Sequence, residues 1–237
     1  MRVVISQPMY FPWLGQLNQA LLADAFVFYS DVQFARGFIN RVQLLVDGAQ
    51  EFITVPTLGS KRGLIYQLEP DSSQPWQERH SSKLKHSLGN SLHFETSNSL
   101  FKDVVLRPHK NLAALSSASV KRLCEEIFPA QCPQFHDSTQ FPRISKSTQA
   151  LVDICKELGA SQYLTGHGAK NYIDSQLFKD EGIELEFIEY DIGEYPQHLG
   201  NHLTSYVSSL DAIARIGAEE TAKLLKSKPV PAASYLN

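Results

Sequence analysis

The amino-acid sequence predicts an α/β protein of three layers, built on a mostly parallel central sheet that begins with a βαβ unit and carries an inserted antiparallel hairpin. Three observations predict it. Val3-Val4-Ile5 and residues 25–29 are short continuous apolar runs, the pattern of strands buried on both faces. Between them Leu14, Leu17 and Leu21 recur at helical spacing with Trp13 and Ala20 on the same side, so strand, helix and strand follow one another closely enough to form a βαβ unit. Further on, residues 42–46 and Phe52-Ile53-Thr54-Val55 flank Asp47-Gly48, a pair that supplies the positive φ of a tight hairpin turn.

The remaining elements follow in order. Residues 64–100 are mixed in pattern, with a helix from about 75 to 88. Leu112, Leu115, Val120, Leu123 and Ile127 restore a helical period that Pro129 and Pro133 break. Ser145 reads as the N-cap of a helix that buries Leu151, Ile154, Cys155 and Leu158, with Gly159 at its C′ position. Tyr163-Leu164 is a short strand, and Gly166-His167-Gly168 turns into the next helix. Ile183, Leu185 and Phe187 alternate with Glu184 and Glu186, the period of a half-exposed strand whose acidic side faces water. Residues 207–225 are helical. The reading gives one α/β domain over 1–227 and a C-terminal tail, 228–237, too short and too poor in large apolar residues to fold alone.

Composition narrows the function classes. The 237 residues carry a formal charge of −3, so no broad cationic surface invites nucleic acid. Cys124, Cys132 and Cys155 are odd in number and lack CxxC spacing, which argues against a disulfide framework or a structural zinc. Cys124 and Cys155 read as core thiols, whereas Cys132 precedes Pro133 in a loop. No metal-ligand spacing connects the eight histidines, and no stretch reaches the ~18 apolar residues of a membrane span. With no leader-like segment before Val3, the expected location is the cytoplasm. Cofactor and oligomeric state are left open.

Candidate site residues cluster in loops that follow strands. Residues 7–13 place Gln7, Tyr10 and Trp13 directly after a buried strand, where α/β sheets collect ligands; the aromatics either stack on a planar or sugar ring or plug the sheet end. Asp31, Gln33, Arg36, Asn40 and Arg41 follow the second strand and offer fork-shaped and amide groups for carboxylate, phosphate or sugar hydroxyls, or else form a solvated loop. Lys61, between Gly59 and Gly63, belongs to a phosphate-gripping loop or a plain basic turn. His80 shares a helical face with Trp76 and Leu84. It is either a partly buried structural histidine or a general base, and His167, between Gly166 and Gly168, is the second candidate. Tyr195 and Gln197 stand in a third polar loop, and Asp211 near a helix start reads as a capping carboxylate.

Taken together, Gln7-Pro8-x-Tyr10-Phe11-Pro12-Trp13-x-Gly15, Asp31-Val32-Gln33-Phe34-x-Arg36, Asn40-Arg41, Trp76-x-x-x-His80, Tyr163-Leu164-Thr165-Gly166, Tyr195-x-Gln197 and Ser209-Leu210-Asp211 resemble the WbqC-like family. The resemblance runs through nearly the whole chain. It implies a role in bacterial surface-polysaccharide (O-antigen) biosynthesis, as a transferase that moves an acyl or glycyl group onto an amino sugar or nucleotide-linked amino sugar. His80, Asp31 and His167 would then be catalytic. Gln7, Tyr10, Trp13, Gln33, Arg36, Asn40, Arg41, Lys61, Gly166, Gly168, Tyr195 and Gln197 would hold an anionic, sugar-containing small molecule. The chain departs from the family pattern at 87–94, where an aromatic-rich stretch gives way to Ser87-Leu88-Gly89-Asn90-Ser91-Leu92-His93-Phe94. The alternatives are a nucleotidyl- or adenylate-forming enzyme and a non-catalytic sugar-nucleotide-binding protein.

Overall fold

The computed structural model describes residues 1–35, 37–60, 62–141, 145–197, 204 and 206–234. Arg2–Ser6 forms β1, Leu14–Leu21 helix α1 and Ala25–Phe28 β2, which pairs in parallel with β1. This is the βαβ start that the two apolar runs predict. Arg41–Val46 (β3) and Ala49–Thr54 (β4) form the hairpin, with Asp47 at φ 49° and Gly48 at φ 79°. Two positive φ values in succession define the turn whose twist matches the flanking strands. Thr57–Leu58 (β5) and Glu69–Pro70 (β6) make a second small ladder.

Helices α2 (Trp76–Leu88), α3 (Phe94–Val105) and α4 (Leu112–Ile127) come next, then β7 (Gln134–Asp137), α5 (Ser147–Glu157), β8 (Gln162–Thr165), α6 (Ser175–Asp180), β9 (Glu184–Glu189), α7 (Ser209–Ala222) and β10 (Lys228–Pro231). The central sheet runs β10-β9-β8-β1-β2-β7, parallel throughout except for β10. From β1 the chain steps outward through β2 to β7, then returns to the other side of β1 as β8 and continues to β9. The direction of winding therefore reverses between β1 and β8. The loops leaving those two strands diverge, and a crevice opens between them at the carboxyl edge.

Alternation along the strands feeds two cores. Val4, Phe26, Phe28, Leu164 and Ile188 face the layer that contains α1, α2, α3, α4 and α7. Val3, Ile5, Val27, Tyr163 and Phe187 face α5 and α6. Helices on both faces make the three layers, and they explain why the strands read as unbroken apolar runs. Cys124 and Cys155 are fully buried, and burial pushes both thiols up, Cys155 to about 12. Among the described residues no helix is long and apolar enough to cross a membrane.

Three sequence expectations need correction. β9 is covered on both sides, not half-exposed: Glu186 is buried because the Arg2 guanidinium donates to it at 2.8 Å. Residues 228–231, expected in a tail, instead form the antiparallel edge strand β10, since backbone pairing with β9 needs no large apolar side chains. Ser145 does not cap α5; Lys146 holds the cap position, and the Ser145 hydroxyl donates to the Asp153 carboxylate.

Leu164 has no solvent exposure and stands on a strand paired on both sides. Leu164→Ala is expected to cost about 2–5 kcal/mol by leaving a cavity, read as a lower midpoint in urea-induced unfolding.

Candidate functional site

The crevice at the carboxyl edge has a volume of about 810 Å³. Ser6 and Gln7 at the end of β1, Tyr29 and Val32 after β2, and the run from Thr165 to Ala169 after β8 supply its floor. Trp13, Gln19, Ser147, Tyr172, Tyr190 and Tyr206 supply its walls. Among the described residues no Asp, Glu, Lys or Arg lines it. Its chemistry is that of aromatic faces, amides, hydroxyls and one imidazole, His167. Tyr172 and Tyr206 are 66 % and 58 % exposed at the rim. Large rings left partly in water beside a cleft provide stacking surface.

The aromatic wall is built from the start of α1. Trp13 occupies the N-cap position, and its rings lie 5.3 Å from Tyr190 and 5.2 Å from Tyr206. The indole folds back over the first helical turn: a Cβ at Gly15 would sit 2.2 Å from Trp13 Cη2. Only a glycine there gives the ring room. Gly166 has a related role, since a Cβ would lie 2.9 Å from the Tyr190 hydroxyl. The Gln19 amide donates to that hydroxyl at 2.6 Å, and the His167 ring meets Tyr190 edge-on with centroids 5.6 Å apart. Burial pushes the Tyr190 phenol up, as does Tyr206, against the lowering effect of the Gln19 bond. The hydroxyl is therefore a neutral donor and acceptor in the working range. At the crevice edge Ser147 opens α5 at φ 56°.

Loop 7–13 is held from beneath. Phe11 adopts φ 42° although it carries a bulky side chain, a conformation that persists only where surroundings over-determine it. Serines provide that constraint. The Phe11 amide donates to Ser119 Oγ on α4 at 2.9 Å, and Ser208 Oγ before α7 donates to the Phe11 carbonyl at 3.0 Å. The Ser209 amide donates to the Pro12 carbonyl at 2.9 Å.

Of the residues that the sequence singles out, the structure brings Gln7, Trp13, Gly166, His167 and Gly168 together in this crevice. It places Tyr10 and His80 elsewhere, in the apolar interior, at 0 % and 5 % exposure. His80 Nε2 lies 3.1 Å from the Thr54 carbonyl, which can only accept, so Nε2 carries the proton. Nδ1 then accepts from the Tyr10 hydroxyl at 3.0 Å. Burial holds the His80 imidazole neutral, with its pKa lowered to about 4. With both nitrogens committed and little access to solvent, His80 braces the end of β4 against the loop 7–13. Tyr10, its phenol raised by burial, is closed to ligand stacking.

The other candidates also lie outside the crevice. Asn40 donates to the Val55 carbonyl, and Arg41 donates to the Gly37 carbonyl while lying 4.1 Å above the Phe52 ring. Asp31 accepts from Ser138, and Gln33 is exposed beside Leu64. Tyr195 donates to Asp211, which also receives Arg215 Nε at 2.8 Å; Asp211 is thus a fully buried ion-pair partner and no helix cap. The Gln197 amide donates to the Tyr195 hydroxyl and to the Thr204 carbonyl. Arg36 and Lys61 lie outside the described residues. Sequence reading missed Gln19, Tyr29, Tyr172, Tyr190 and Tyr206, which reach the crevice from five separate positions in the chain with no shared motif.

The WbqC-like protein family matches residues 7–223. The chain belongs to that family. The WbqC-like match begins at Gln7, on the crevice floor, and extends through α7. The uncharacterized protein Rv1507c of Mycobacterium tuberculosis (strain ATCC 25618 / H37Rv) is 25 % identical over 223 residues, covering 92 % of this chain and 95 % of that protein. No solved structure matches.

Two outcomes follow from this geometry. In the unfolded chain His80 binds a proton near pH 6.5, but in the fold only near 4. Its contribution to stability is whole above pH 6.5 and is lost as pH falls toward 4, a loss on the order of 3 kcal/mol. Urea titrations at a series of pH values should show that acid limb flattened in His80→Gln. Gly15→Ala should displace the Trp13 indole and alter its fluorescence, while the melting temperature falls by only a few degrees.

Proposed function

We infer that the crevice binds a sugar-bearing substrate, and that this protein is a transferase of bacterial surface-polysaccharide biosynthesis moving an acyl or glycyl group onto an amino sugar or nucleotide-linked amino sugar. The observation that carries the reading is the lining of the crevice at the β1–β8 switch: aromatic faces, amides and hydroxyls around one imidazole, with no fixed charge among its described residues. Aromatic rings stack on the apolar faces of sugars, while amides and hydroxyls match sugar hydroxyl groups without the cost of desolvating an ion. Membership of the WbqC-like family agrees with this reading.

In this scheme Trp13, with Tyr206 and Tyr190, holds the sugar, and Gln7 and Gln19 fix its orientation. His167 takes the proton from the attacking amine as the nitrogen bonds to the acyl carbon, and the proton passes to the leaving group as that bond breaks. Amides of the Gly166–Gly168 turn face the developing oxyanion. Assigning the base to His167 replaces His80 in that role. Asp31, half-exposed after β2 and bonded to Ser138, acts at most through the loop it steadies.

A second reading is favoured by the strand order itself, which is that of nucleotide-binding doubly wound sheets. An enzyme that forms a nucleotidyl or adenylyl bond would use the same crevice and release pyrophosphate.

His167→Asn should lower turnover by at least 10²-fold while leaving quenching of Trp13 fluorescence by a nucleotide-linked amino sugar intact. Unchanged turnover removes His167 from the chemistry. Pyrophosphate release without acyl transfer selects the second reading.

A further inference from the structure

A second cavity, of about 460 Å³, lies beneath α4 at the carboxyl ends of β2 and β7. Its volume falls within the range of small-molecule sites. One face of α4 forms its long wall: Ala113, Ala114, Ser117 and Ala118, with Lys110 just before the helix and Lys121 in its third turn. Small side chains over the middle of this face leave the space open, and the two lysines stand at its ends.

The amino-terminal end of this wall is electropositive. In the first turn of α4 the Leu112 amide donates to the Leu68 carbonyl, Ala114 to Asn111 Oδ1 and Leu115 to the Asn111 carbonyl. No acceptor meets the Ala113 amide among the described residues. A second observation is independent of the helix end: Ser117, 8 % exposed, lines the same cavity with its hydroxyl buried and without a hydrogen-bond partner. Neither Lys110 nor Lys121 forms an ion pair among the described residues. Lys121 instead lies 5.7 Å and 5.6 Å from the centres of Phe28 and Phe135, which stack on each other and close the far end. Asp137, the one carboxylate of the lining among the described residues, accepts the Ser30 and Thr139 hydroxyls, both on Oδ1.

We propose that this cavity is a second binding site, which takes an organic phosphate: the phosphate group at the start of α4 beside Lys110, the body along Ala114, Ser117 and Ala118 toward the Phe28–Phe135 pair. Helix amino termini favour phosphate through unpaired amides and the helix dipole. The switch crevice, with no fixed charge among its described lining residues, has the opposite character. The site does not depend on the function inferred for the crevice.

The test is a titration of the isotopically labelled full chain with adenosine monophosphate, ribose 5-phosphate and inorganic phosphate, followed by amide NMR. The amide resonances of Ala113 and Ala114 should move, with both organic phosphates binding more tightly than inorganic phosphate. Lys110→Glu, which reverses charge, and Ala118→Leu, which fills the cavity from a half-exposed position, should each weaken binding at least tenfold. Trp13→Ala, in the crevice, should leave it unchanged. Still resonances at Ala113 and Ala114, equal affinity for inorganic phosphate, or full affinity in Ala118→Leu would overturn the proposal.

Discussion

The constraint on which the site depends is the hold that two helices keep on the backbone of the β1–α1 loop. Phe11 sits in a left-handed conformation that a phenylalanine adopts at a cost of about 1–2 kcal/mol. It stays there because serines of α4 and the α7 cap satisfy its amide and carbonyl in a region closed to water. Release of either bond leaves a buried polar group unpaired, which costs about as much again. The reversal at Phe11 buries Tyr10 toward the hairpin and turns Trp13 outward over Gly15. One backbone choice thus separates a structural tyrosine from a ligand-facing tryptophan only three positions away.

The sheet order turns that local geometry into a site. β1 is the strand at which winding changes direction, so its loop has no crossover helix closing over the side that faces β8. The turn after β8 stands opposite, with Gly166 narrow enough for the Tyr190 hydroxyl to approach. The His80–Tyr10 pair, on the face of the sheet covered by α1, α2, α3, α4 and α7, ties α2 to the same loop and to the end of β4. It supports the crevice from behind.

How much of this could be read from residues alone depends on the range of the interactions involved. The βαβ start and the Asp47-Gly48 hairpin are set by local pattern and local dihedrals, and both appear as expected. Trp13 and the Gly166–Gly168 turn were also visible, because each directly follows a buried strand. His80 was ambiguous for a physical reason. A histidine beside Trp76 and Leu84 on one helical face has the same pattern whether its nitrogens meet solvent or a tyrosine seventy residues away. Tyr190 and Tyr206 were invisible, since only tertiary packing against Trp13 gives them a purpose. The cavity under α4 likewise depends on which strand lies beneath a row of small residues.

The edge strand β10 has its own consequence. Pro229 and Pro231 alternate along it, opposite Ile188 and Glu186 of β9. Neither can donate to a ladder, so both nitrogens must point away from β9, toward the outside. That rim then presents carbonyl oxygens and no amide hydrogens at these two positions. A neighbouring chain seeking to extend the sheet would find half of each hydrogen-bonded pair missing, and the parallel core is protected from templated aggregation on this flank by two pyrrolidine rings.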